Sequence, residues 1–142
     1  MTTAREIMHP GCSCIRRDNT LQEAARLMRD QNIGALPICD ENDHLVGILT
    51  DRDIVVKCVA AGRDCGSVTA GELAEGPPHT IDADADVDQV LQTMEHHQVH
   101  RLPVLEQQRV VGIIAEADLA RHLPEQKVGE FVRYVSADLT GP

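Results

Sequence analysis

The chain has 142 residues, 42% of them hydrophobic and 25% charged, with a formal net charge of −10. That suits one compact domain or two small units that depend on each other. So acidic a chain repels phosphate backbones, and Phe131 and Tyr134 are its only aromatics, which excludes nucleic acid as an expected partner. No run approaches a membrane span and the segment Met1–Met8 lacks the apolar stretch of a signal peptide; the expected compartment is the cytoplasm, with release independent of a signal peptide left open.

In chain order, Thr3 with Glu6 forms a capping box that opens a short turn, and a short strand follows around Cys14–Arg16. Thr20 with Glu23 starts an amphipathic helix carrying Leu21, Ala24, Ala25, Leu27 and Met28 at helical spacing. Ala35–Cys39 and Leu45–Leu49, around the polar turn Asp40–Asp43, predict a hairpin. A last helix is expected over about Asp51–Ala60, before the linker 61–67. The pattern then begins again. Thr69 with Glu72 caps a turn, and the loop Gly76–Pro78 leads to a strand near Thr80–Ile81. Asp86 with Gln89 opens a helix carrying Val87, Val90, Leu91 and Met94. A hairpin joins Leu102–Leu105 to Val110–Ile114, and a helix covers about Glu116–Leu123.

The recurrence holds in register. Thr3–Ile7 returns as Thr69–Leu73 and Leu36-Pro37-Ile38 as Leu102-Pro103-Val104, both at an offset of 66, and Gly47-Ile48-Leu49 returns as Gly112-Ile113-Ile114 at 65. A constant offset over three segments identifies a tandem repeat with the order β-α-β-β-α. The expected organisation is repeat one with its linker over 1–66, repeat two over 67–124, and an extension over 125–142. In the extension Val128, Phe131, Val132 and Val135 lie at amphipathic-helix spacing, for core packing or as a docking face. A unit of roughly 55 residues is marginal alone, so two copies are expected to face each other, with clefts at the seam where a small ligand would sit.

These segments resemble a tandem pair of cystathionine-β-synthase (CBS) domains, a Bateman module. The resemblance rests on Gly34–Ile38 and Val99–Val104 in the middle strands, and on Gly47–Asp53 and Gly112–Asp118 at the strand-to-helix turns. It implies an α+β fold of two βαββα repeats, here with a short C-terminal helix. It also implies a homodimer, adenosine-containing ligands in the clefts, and a sensory rather than catalytic role. For a pair that stands alone, it implies a regulatory or stress-response protein. Thr50 and Asp53 match the family position where a hydroxyl and a carboxylate bond a ribose, although the same spacing is an ordinary capping box. In repeat two Asp118 keeps the carboxylate while Ala115 replaces the hydroxyl, at a cost on the order of 1 kcal/mol of hydrogen bonding.

His97 and His122 stand near the ends of two helices where repeat one has Gln31 and Lys57. They are candidate zinc ligands, in preference to His96 and His100, with further ligands from a second subunit; the alternative is that they complement the helix C-termini. Of the five cysteines, Cys14 opens the first strand and Cys39 ends the neighbouring middle strand, and the two form a candidate disulfide suited to an oxygen- or redox-responsive protein, whereas Cys58 reads as a small buried residue. No cofactor is obligatory; an adenine nucleotide and zinc are the candidates. No nucleophile elbow, P-loop, zinc-protease helix or dinucleotide fingerprint is present, so no enzymatic activity is expected. An interaction protein that binds no small molecule is the remaining alternative.

Overall fold

The computed structural model describes residues 2–11, 14–123 and 129; apart from Gly129, the helix expected within 126–135 lies outside them. The elements are α1 (Ala4–Ile7), β1 (His9–Pro10), β2 (Ile15–Arg16), α2 (Leu21–Gln31), β3 (Ala35–Cys39), β4 (Leu45–Thr50) and α3 (Asp51–Ile54). After a π-helical turn at Val55–Val59 come α4 (Ala70–Leu73), β5 (Ile81–Asp82), α5 (Val87–His97), β6 (Arg101–Glu106), β7 (Arg109–Ala115) and α6 (Glu116–His122).

The two long helices start where their caps place them. The Glu23 N–H donates to Thr20 Oγ1 at 3.1 Å while the Thr20 N–H donates to the Glu23 carboxylate at 3.0 Å. Asp86 and Gln89 repeat the exchange at 2.9 and 3.0 Å. Each helix stops at a left-handed residue, Asn32 or Gln98. Leu21, Ala24 and Met28 on α2, and Val90, Leu91 and Met94 on α5, are buried.

The capping bond from the Thr20 backbone holds the Glu23 carboxyl below the usual glutamate range. The unfolded chain therefore binds the extra proton first, and this contribution is complete above the ordinary glutamate value and lost as pH falls through the lower folded one. Glu23→Gln is expected to flatten the decline in urea-unfolding free energy between about pH 5 and about pH 3; an unchanged slope would place the acid sensitivity elsewhere.

The helix expected over Asp51–Ala60 is α-helical only to Ile54 and continues as the π turn, in which the Ala60 N–H reaches the Val55 carbonyl. Three β-branched valines in five residues crowd a tighter turn.

Among the described residues the chain forms two compact units, one of 2–11, 79–106 and 111–123 and the other of 14–78 and 107–110. The second carries the sheet β2-β3-β4, with β2 parallel and β4 antiparallel to the central β3. Pro37 is tolerated in that central strand because β2 pairs only Ile38 and Cys39. The first carries the sheet β1-β7-β6-β5, with β1 antiparallel to β7 and β5 parallel to β6.

Packing units and sequence repeats differ at 107–110 and at the opening turns. The division at 66/67 assigns each opening turn to the repeat it precedes, but the turns are exchanged. The N–H groups of Ala4 and Arg5 donate to the carbonyls of Ala85 and Ala83, and Ala4 and Ile7 lie in one core with Ile81, Val90, Met94, Leu102 and Leu119. Reciprocally, Ala70 and Gly71 donate to Asn19 and Arg17, and Ala70 and Leu73 join Ile15, Leu21, Leu36 and Leu49. Gly112 follows from the close approach of β1: a Cβ there would stand 2.8 Å from the His9 carbonyl oxygen. No helix among the described residues is long and apolar enough to cross a membrane.

Candidate functional site

Thr50 ends β4 and Asp53 lies in the first turn of α3, so the strand-to-helix corner places both at one point. The Thr50 N–H donates to Asp53 Oδ2 at 2.9 Å and the Asp53 N–H to Thr50 Oγ1 at 3.1 Å. The capping box therefore forms, and the carboxylate keeps acceptor capacity on Oδ1. Lys57, one turn on, brings its Nζ to 3.4 Å from Asp53 Oδ1 and to 2.7 Å from Glu75 Oε1. The Glu75 hydrogen bond and then the Asp53 charge raise the lysine above its usual range, against partial burial. With Ile48, Leu73 and Gly76 these side chains line a cavity of about 120 Å³. Lys57 and Glu75 were not legible as site residues, because nothing in their spacing marks a pair brought together by the return of α4.

The equivalent corner in repeat two is built differently. The Ala115 N–H donates to Asp118 Oδ2 at 2.8 Å, but alanine has no hydroxyl to accept the Asp118 N–H, and Oδ1 pairs with Arg121.

The histidines arrange themselves in an order the sequence did not suggest. His97, at the end of α5, stacks on His79 with ring centroids 3.7 Å apart and planes 12° apart, and meets the His96 ring edge-on at 4.7 Å. Desolvation, then the neighbouring His79 and His96, hold its imidazole below the ordinary histidine value, which favours the neutral ring. His122, in the last turn of α6, bonds the Asp118 carbonyl through Nδ1 at 2.8 Å. A carbonyl only accepts, so Nδ1 carries the proton and Nε2 the lone pair. His100 pairs with Glu116. Among the described residues no group of three or more His, Cys, Asp or Glu side chains is arranged to hold a metal ion. His79 went unnoticed because it sits in a loop without periodicity.

The parallel pairing of β2 with β3 sets Ile15 opposite Ile38 and Arg16 opposite Cys39, which lays the start of β2 alongside β3. Cys14 and Cys39 are joined sulfur to sulfur with Cα atoms 5.7 Å apart, within the span of a disulfide. Beside them a cleft of about 480 Å³ is lined by Arg16, Arg17, Asp18, Cys39, Asp40 and Glu41.

Two βαββα repeats, each turning from its last strand into a helix through a carboxylate cap, define a CBS pair, and the chain belongs to the CBS-domain family: the CBS domain model matches residues 4–59 and 70–125. The α+β Bateman architecture read from the sequence is thus the architecture of the chain. Within the family it is similar to Hypoxic response protein 1 of Mycobacterium tuberculosis, 50% identical over 139 residues, which are 98% of this chain and 97% of the relative. The CBS domain-containing protein YhcV of Bacillus subtilis is 38% identical over 124 residues, 84% of each chain. A crystal structure of Hypoxic Response Protein I with two coordinated zinc ions covers 87% of this chain and 100% of its own at 54% identity and a TM-score of 0.75.

Proposed function

We propose that the chain is a CBS-pair regulator of a stress response, without catalytic activity, whose subunits are joined by zinc at His97 and His122. The observation that carries this is the state of His122. Its Nδ1 proton is committed to the Asp118 carbonyl, which leaves the Nε2 lone pair, the form in which imidazole binds zinc. His97 favours the neutral ring, and its stacking on His79 uses the ring face rather than the in-plane nitrogens. Two imidazoles are half of a tetrahedral set; a second copy of the chain would complete it. Val55, Val56 and Val59, exposed at 57%, 49% and 60% on the π turn, are apolar surface that self-association would cover. The zinc-bearing relative at 54% identity supports the same reading. Elemental analysis of untagged protein is expected to return about one zinc per two chains, and chelation to lower the thermal midpoint. Protein that neither retains zinc nor takes it up on titration would end the proposal.

A second reading is favoured by the convergence of Thr50 and Asp53. An adenosine nucleotide would direct its ribose diol to that carboxylate and hydroxyl, whereas Asp118 offers a carboxylate alone. The cavity of about 120 Å³ is smaller than the usual ligand pocket of about 300–1,000 Å³, so binding would part Lys57 from Glu75. Calorimetric titration with AMP, ATP and S-adenosylmethionine tests this; heat with none of them discards it.

A further inference from the structure

The two remaining described cysteines meet. Cys58 lies in the π turn and Cys65 in the linker, and their Sγ atoms stand 3.0 Å apart. No C-x-x-C spacing announces them; the fold makes the pair. The Cys58 N–H belongs to the helix, and its carbonyl accepts the Arg63 N–H, which curls the linker back over the thiol. The Cys65 carbonyl accepts the Gln22 N–H at the start of α2, so both sulfurs are held by backbone anchored to the core of the unit.

From this juxtaposition we propose that Cys58 and Cys65 are a redox-active dithiol, a modification site that is oxidised to a disulfide by low-molecular-weight disulfides. The exposure of the two thiols assigns their roles. Cys58 is completely buried, and its hydrogen bond with Cys65, together with burial, pushes its thiol up to about 11. It stays protonated and out of reach of a reagent. Cys65 is half-buried and is the sulfur that a reagent meets. The Cys65 thiolate attacks one sulfur of the reagent R–S–S–R, breaking its S–S bond and expelling one thiolate, RS⁻. The Cys58 sulfur then attacks Cys65 in the mixed disulfide and expels the second RS⁻. The protons of the two cysteines pass to the two departing thiolates, so two electrons leave the protein and two RSH are released. Only a small closure separates 3.0 Å from a bond of about 2.05 Å. The bond would tie the residue following Lys57 to the segment leading into α4, and so fasten together two walls of the Asp53–Lys57–Glu75 cavity.

The test uses the full chain and oxidised glutathione. Trypsin cuts after Lys57, Arg63 and Arg101, so the link joins the peptides 58–63 and 64–101, a pair no other cysteine in the chain can generate. The expected result is that linked pair, the loss of two free thiols per chain, and full reversal by dithiothreitol. Cys58→Ser should trap glutathione on Cys65, and Cys65→Ser should leave Cys58 unmodified until the protein is unfolded; circular dichroism confirms that each variant is folded. Glutathione accumulating on Cys65 of the unsubstituted protein, a link from either residue to another cysteine, or two thiols that stay free at oxidant levels that modify the unfolded chain would each overturn the proposal.

Discussion

Replacing Ile7 by alanine is expected to lower the unfolding free energy by about 2–5 kcal/mol, the usual cost of emptying a buried aliphatic site. The side chain is 3% exposed and sits among Ile81, Val90, Met94, Leu102 and Leu119, all more than seventy positions further along the chain. Urea unfolding followed by circular dichroism measures the loss, since the chain has no tryptophan. Hydrogen exchange locates it: protection should fall first over β5, β6 and α5, and later over β3 and β4. Arg5→Ala is the comparison. Its ion pairs with Glu106 at 2.8 Å and Asp84 at 3.3 Å lie on the surface, where solvent screening leaves such pairs worth little. A loss no larger for Ile7→Ala than for Arg5→Ala would mean that α1 does not belong to this core.

Substituting His122 by alanine is expected to weaken zinc binding by at least about 100-fold, because even partners of a metal ligand contribute about 10–100-fold. His97→Ala should do the same, and the two together little more, as removing either leaves the ion without a complete set. His44→Ala, whose imidazole faces Asp40, serves as the control and should retain full affinity. Competition against a chromophoric chelator gives the constants. Retention of wild-type affinity by His122→Ala would remove it from the metal site, whatever the metal content of the protein. The same variants bear on assembly: if zinc bridges two copies, each substitution should shift the monomer–dimer balance towards monomer at fixed concentration.

Much of the architecture was open to inspection in the residues. The helix starts followed from Thr20 with Glu23 and Asp86 with Gln89, because a cap is a local bond among four residues. The hairpins followed from short apolar runs around polar turns. The difference between Thr50 and Ala115 was likewise visible before any coordinates, and it is realised as a complete hydroxyl–carboxylate exchange at one corner and half of one at the other. What stayed hidden depends on where distant segments come to rest. The spacing of Thr3 and Glu6 says that a turn begins, but not which core its Ile7 will fill. Periodicity over 51–60 says helix, yet does not distinguish an α turn from the wider one that three valines adopt. Lys57 and Glu75, His79 and His97, and Cys58 and Cys65 each meet through tertiary packing, with no spacing that a motif could register.

The exchange of the opening turns also sets a timetable for the nascent chain. Residues 2–11 leave the ribosome long before the strand and helix that cover them, β7 and α6, which are the last two described elements to be made. At about 5–20 residues per second, the intervening stretch takes on the order of 5–20 s to synthesise. Until Ile81 and Ala83 emerge, Ala4 and Ile7 have no native partner, while the unit built from 14–78 can close its sheet at once. Vectorial synthesis therefore completes the core of the unit built from 14–78 before residues 2–11 are docked.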